Sequence, residues 1–274
     1  MDVAPAVTPG GTPTSDEIAP PPPPTQAGVG AGHGRSKDDA PTYTVVLSWV
    51  EAQLSSGALS VGQKLPGERA LAEEFGISRA SVREAIRVLV AMGLVRSGTG
   101  SGPKAGAVVV SEPSAPLSWA LRMHVATKAL PMADVVAMRV LLETQSALAA
   151  GPAVDHAERA AVLERVRGYL EEMDQPEIQN ARFHDLDARF HVELTSLGGN
   201  VVLTTVMQSL RDAVIGYVEQ SVAHVTDWAG LRARLQAEHW AILAAFEAAE
   251  PVHAAALLKQ HIEGFHATVL AARA

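Results

Sequence analysis

The stretch KLPGERALAEEFGISRASVREAIRVLVAMGLV, residues 64–95, decides how this chain is read. Pro66 stands where a helix should begin, since its fixed φ suits the first turn and its missing N–H costs nothing there. Leu71, Ala72 and Phe75 then mark a buried stripe, and Gly76 is suited to a left-handed stop. Ser78 is a good N-cap for the next helix, in which Val82, Ala85, Ile86 and Leu89 share an inward face. Arg79, Arg83 and Arg87 recur every fourth residue on another face. A helix with an apolar back and an arginine front fits the DNA major groove, because guanidinium forks onto guanine edges or phosphate oxygens. Ser78 and Ser81 lie where helix amides and hydroxyls favour phosphate. A plain helical hairpin with a solvated arginine face is the competing reading.

The flanks extend the pattern. Upstream, PTYTVVLSWVEAQLSSG places Leu47, Val50 and Leu54 at helical spacing, and the loop ALSVGQKLPG follows. Downstream, LVRSGTGSGPKAGAVVV has β-prone ends around a glycine-rich middle, which reads as a hairpin. Three helices and a hairpin make a winged helix-turn-helix over 41–111. Residues 1–40, with APPPPPT at 19–25, are too poor in packable side chains to offset ordering entropy and read as a disordered tail. Deleting them is expected to leave DNA affinity intact. A large loss in a titration against DNA would make the tail a DNA-contacting arm.

Residues 112–131 read as a connection, part of it open to helix. Beyond Pro131, Ala/Leu-rich helical periodicity covers about 132–150, 155–173, 180–197, 200–222, 229–248 and 251–272. The fold class is therefore mainly α: the winged helix-turn-helix followed by an antiparallel all-α bundle over 132–274.

Composition narrows the function. The 274 residues carry no cysteine, so disulfides and thiolate metal sites are excluded and any metal must be held by His and carboxylates. The net charge is −8, unevenly spread. Residues 43–110 hold seven Lys/Arg against five Asp/Glu, and residues 111–274 hold thirteen against twenty. A mildly basic module beside an acidic one suits local DNA contact rather than wholesale coating. No apolar run has membrane-spanning length and no signal pattern opens the chain, so a soluble, cytoplasmic protein is expected.

The motif DARFH, residues 187–191, sets Asp187 and His191 one helical turn apart. His239 in QAEHWAILAAF and His261 in LLKQHIEGF each lie about eleven residues from a turn near Glu250-Pro251, so antiparallel helices bring them to similar height. Together they offer a three-His, one-carboxylate set for Zn²⁺, Ni²⁺ or Mn²⁺. With ten histidines in the chain, His184 at the same helical phase is a competing ligand, and His253 and His266 are bystanders.

Residues 64–95 resemble the DNA-binding domain of GntR-family bacterial regulators. The matching elements are Leu65-Pro66, Glu68-Arg69, Leu71-Ala72, Ser78-Arg79, Val82-Arg83 and Gly93-Leu94-Val95, with Gly67 departing from the usual Ser. The resemblance implies DNA contacts by Arg69, Arg79 and Arg83 and by Ser78 and Ser81, with the wing tip near Gly100 reaching the minor groove. Residues 134–272 resemble the FCD ligand-binding domain of the FadR-like branch, through ADVVAMRVLLETQSALAA and DARFHVELTSLGGN. That likeness implies metal ligation by Asp187, His191, His239 and His261, a small carboxylate effector, a homodimer on a palindromic double-stranded operator, and repression released by ligand. Arg139 is a candidate for the effector's anion, or an intrahelical partner of Glu143. The rival function is a metal-dependent hydrolase with a DNA-binding appendage. It would need a general base beside the ion, and Glu238 next to His239 is expected to point to a different face.

Overall fold

The computed structural model describes residues 41–98, 106–150 and 155–273. The expected tail and the wing tip at Gly100 lie outside the described residues.

The head begins with α1 (Thr44–Ser56), stopped by Gly57 in the left-handed region. Its buried side chains are Val46 and Val50, while Leu47 and Leu54 are only partly buried. All three residues of the Leu47/Val50/Leu54 reading pack on the head's core, and Val46 joins Val50 as its most buried part. Next come α2 (Glu68–Phe75) and α3 (Arg79–Ala91), whose buried face is Val82, Ala85, Ile86 and Leu89. Ser78 caps α3, its Oγ accepting from the Ser81 N–H at 3.0 Å. Strands β1 (Val95–Gly98) and β2 (Gly106–Val109) pair antiparallel with Val95 opposite Val109, and the chain before α2 adds a bridge from Lys64 to Val108. The wing thus shares one core with all three helices.

Among the described residues, seven helices follow: α4 (Ser114–Ala126), α5 (Met132–Ala149), α6 (His156–Met173), α7 (Asn180–Ser196), α8 (Val201–Val222), α9 (Trp228–Glu247) and α10 (Pro251–Arg273). Asp155, Asn200 and Asp227 cap α6, α8 and α9 with side-chain oxygens, which fixes where each helix starts. Pro251 opens α10. The six helices read beyond Pro131 agree with these bounds to within one residue, and the mainly-α class holds. The main core joins α6, α7 and α9 through Leu170, Phe183, Phe190, Leu194, Ile242 and Phe246.

The 112–131 connection is largely helix. Leu121 and Val125 of α4 pack on a cluster that includes Leu210 and Val214 of α8. Ser118 Oγ donates to Ser114 O at 2.6 Å and lies 3.2 Å from Asp212 Oδ2. The joint with the head is tight. Gly93 has φ 69°, and a Cβ there would sit 2.3 Å from the Glu112 carbonyl oxygen, so both conformation and space demand glycine.

Candidate metal centre and nucleic-acid interface

On the head, α3 presents Arg79 and Arg83 with side chains 63% and 54% exposed, enough to reach a ligand without unfolding anything. Both lean on Glu68, at 3.9 and 3.6 Å, while Arg69 pairs with Glu73 at 3.7 Å and Arg87 with Glu84 at 2.8 Å. Exposed pairs of this kind are worth about 0–1 kcal/mol, so phosphate can displace the carboxylates. Ser78 Oγ and Ser81 Oγ lie 3.0 Å apart at the start of the same helix. Five of the six sequence-derived DNA residues therefore group on α2 and α3, and the sixth, Gly100, lies outside the described residues.

In the bundle, α7 supplies Asp187 and His191, α9 supplies His239 and α10 supplies His261. One donor atom from each falls within 4.8 Å of all the others. His239 Nε2 is 3.2 Å from Asp187 Oδ1 and 3.2 Å from His261 Nε2, and His191 Nε2 is 3.8 Å from Asp187 Oδ1. The three histidines are essentially buried. Two are held from behind: Glu143 Oε2 lies 2.5 Å from His191 Nδ1, and Glu238 Oε2 lies 2.7 Å from His261 Nδ1. A carboxylate on Nδ1 fixes the tautomer that turns the Nε2 lone pair inward.

Burial pushes His191 down to about 3 against the pull of Glu143, and it also lowers His239, so these rings are neutral at physiological pH. Burial works to raise Glu143, but His191 and Arg139 outweigh it and hold the carboxyl at about 2. Burial would likewise raise Asp187, yet Arg211, then His239, keeps it well below the usual carboxylate range. Neutral imidazoles and an ionised carboxylate are the forms a divalent cation requires. His191 Nε2 is buried with no hydrogen-bond partner, a lone pair lacking a proton or a cation. Four tetrahedral ligands at 2.0–2.1 Å from one ion lie about 3.4 Å apart, so the widest pair would close by at most about 1.4 Å. The residues present fit such an ion.

Beside the cluster is a narrow cavity with room for roughly one water, lined by Asp187, His191 and His261 and by two buried arginines, Arg139 and Arg211. Arg139 Nε donates to Glu143 Oε1 at 2.9 Å, so both roles read for Arg139 meet here: it pairs within its helix and it faces the cavity. Arg211 pairs with Asp187, and its buried Nε has no partner. His184 lines the cavity wall, with its ring 5.3 Å from that of Trp228, but stays outside the four-residue cluster.

Comparison with known proteins gives these two constellations a common context. Residues 42–104 match the family model "Bacterial regulatory proteins, gntR family", and residues 134–264 match "FCD domain". The chain belongs to the GntR family. It carries a GntR DNA-binding domain and an FCD effector-binding domain, the make-up of a transcriptional regulator. It is 29% identical over 184 residues to the "Glc operon transcriptional activator" of Escherichia coli K12, covering 66% of this chain and 70% of that protein. It is 34% identical over 164 residues to "HTH-type transcriptional regulator LutR" of Bacillus subtilis, covering 59% and 70%. Among solved structures, a Streptococcus agalactiae GntR protein shares the fold at a TM-score of 0.54 and 22% identity, over 81% of this chain and 95% of that one. No described helix is long and apolar enough to cross a membrane.

Three residues of this GntR-family centre escape the sequence reading. Arg211 sits in VMQSLRDAV, where one arginine among apolar neighbours is the available signal. Glu143 stands out in the sequence only as a partner of Arg139. Glu238 does leave the ion-facing side of α9, as its position predicts, but it reaches across to α10 and holds His261.

Proposed function

We propose that the protein is a homodimeric, cytoplasmic repressor whose FCD domain binds a divalent cation through Asp187, His191, His239 and His261, and a small carboxylate beside it. The observation that carries this reading is the convergence of three imidazole Nε2 atoms and one carboxylate oxygen next to a cavity holding Arg139 and Arg211. When bound, the cation supplies a Lewis-acid anchor for one carboxylate oxygen of the effector. Arg211, with a free buried Nε, and Arg139 supply charge-assisted donors for the remaining oxygens. Arg69, Arg79, Arg83, Ser78 and Ser81 hold double-stranded operator DNA.

The helices offer a route between the two sites. Arg211 faces the cavity, and the next residue, Asp212, meets Ser118 of α4, which leads directly back to the wing. An effector that draws Arg211 from Asp187 therefore loads α8 against α4 and shifts the head. A regulator suits this centre better than a hydrolase, because Glu238 is engaged on the far side of His261 and is not placed as a base facing the ion.

The test is operator release by short carboxylates with metal-loaded protein, read by fluorescence anisotropy beside a turnover assay. Release without turnover supports the proposal, and turnover without release supports the hydrolase. Arg211→Gln is expected to keep metal but weaken the carboxylate response about 10- to 100-fold, the worth of one charge-assisted hydrogen bond. Asp212→Ala should bind effector normally while the operator responds less, by about two- to thirtyfold.

A further inference from the structure

A second chamber adjoins the first. It is narrow and lies between α5, α8 and α10, lined mainly by Met132, Val135, Val136, Val214, Val218 and Val269. The two chambers share a wall of Arg139, Val218, Ile262 and Phe265. Their chemistry differs sharply. The first carries the histidines, Asp187 and Arg211, whereas besides Arg139 the second offers only Ser221 and His266 as polar side chains. Arg139 lines both, with its head group tied back to Glu143.

We propose that this second chamber receives the apolar end of the effector, so that the ligand class is a monocarboxylate with a short alkyl tail rather than a polyhydroxylated sugar acid. The inference rests on the carboxylate reading above and deepens it. A carboxylate anchored at Arg211 points the rest of its chain away from the charged cluster. Across the shared wall, that chain meets valines that hydrate poorly and gain from burial. Hydroxyls would find too few partners there, and an unpaired buried hydroxyl is costly. Length is bounded as well. The open centre of each chamber is the size of only a water or two, so a lengthening tail has to displace Phe265 and Met132.

The experiment titrates full-length, zinc-loaded protein with acetate, propanoate, butanoate, pentanoate, hexanoate and gluconate, following ligand-induced thermal shift. Affinity is expected to rise about three- to fourfold per methylene, the worth of one buried CH₂, and to level off once the tail meets Phe265 and Met132. Gluconate should gain nothing over acetate. Val136→Phe, at the half-buried rim of the chamber, should flatten the series while acetate binds as before. Met132→Ala should move the plateau to a longer chain, and it serves as the independent variant if the Phe substitution fails to fold. A flat wild-type series with acetate still binding overturns the second chamber as a ligand site and leaves the carboxylate reading standing. If no carboxylate binds the loaded protein, the parent reading falls and the inference falls with it.

Discussion

His239→Ala is expected to abolish the proposed metal binding and to remove any stabilisation that added metal gives the wild type. His239 is fully buried and its Nε2 is 3.2 Å from both Asp187 Oδ1 and His261 Nε2, so it is the donor closest to the middle of the cluster. Because α7, α9 and α10 each contribute a proposed ligand, an ion bound there would cross-link three helices. Its binding energy then appears as folding stability. At a free metal concentration of a thousand times Kd that stabilisation is about 4 kcal/mol, or roughly 10 °C in Tm for a domain of this size. The variant's own Tm should match the chelated wild type to within a few degrees and should not respond to metal. His184→Ala is the control. Although His184 shares the phase of Asp187 on α7, it faces Trp228, and metal content should be unchanged. Elemental analysis and thermal melts with and without chelator decide the matter. If the His184 variant loses the metal while the His239 variant keeps it, the ligand set is wrong.

The double variant Arg79→Ala/Arg83→Ala is expected to lose operator affinity by at least about a thousandfold. Each arginine that reads a base is worth roughly 1–3 kcal/mol, and in a symmetric dimer each substitution acts at both half-sites. The folded head should survive, since both side chains are exposed and their pairs with Glu68 are weak. If these arginines bind phosphate instead, affinity should fall evenly across sequences and the salt slope should drop by about one for each phosphate no longer neutralised. Near-wild-type operator binding by a folded double variant would exclude α3 as the recognition element.

The helices are legible in the sequence because most of them announce their ends chemically. Ser78, Asp155, Asn200, Asp227 and Pro251 are strong start signals, and the periodicity between them is long. The most buried part of α1 is less legible because that helix is apolar nearly all round, with Val45, Val46, Leu47, Trp49 and Val50 in one turn and a half. There, only packing against the rest of the head selects the face. The four candidate ligands are only partly legible: helix spacing sets Asp187 against His191 and distance from a turn sets His239 against His261, but His184 shares the phase of Asp187 and only the likeness to the FCD domain sets it aside. Arg211 and the carboxylates behind the histidines are not legible. Their roles depend on which helices become neighbours in space, and no local pattern records that α5 lies against α7 or that Glu238 reaches α10.

The short path from wing to bundle bears on how operators are selected. Strand β2 ends at Val109, α4 starts at Ser114, and Gly93 admits no side chain where it meets Glu112. The segment between the domains is thus a splint lying on α8 rather than a tether. A tether would let two heads follow half-sites as they slide and rotate apart, by about 3.4 Å of rise for each base pair inserted. In the proposed homodimer a splint would make the pair of heads a fixed calliper, so the gap between half-sites would become as much a part of the recognised sequence as the bases themselves.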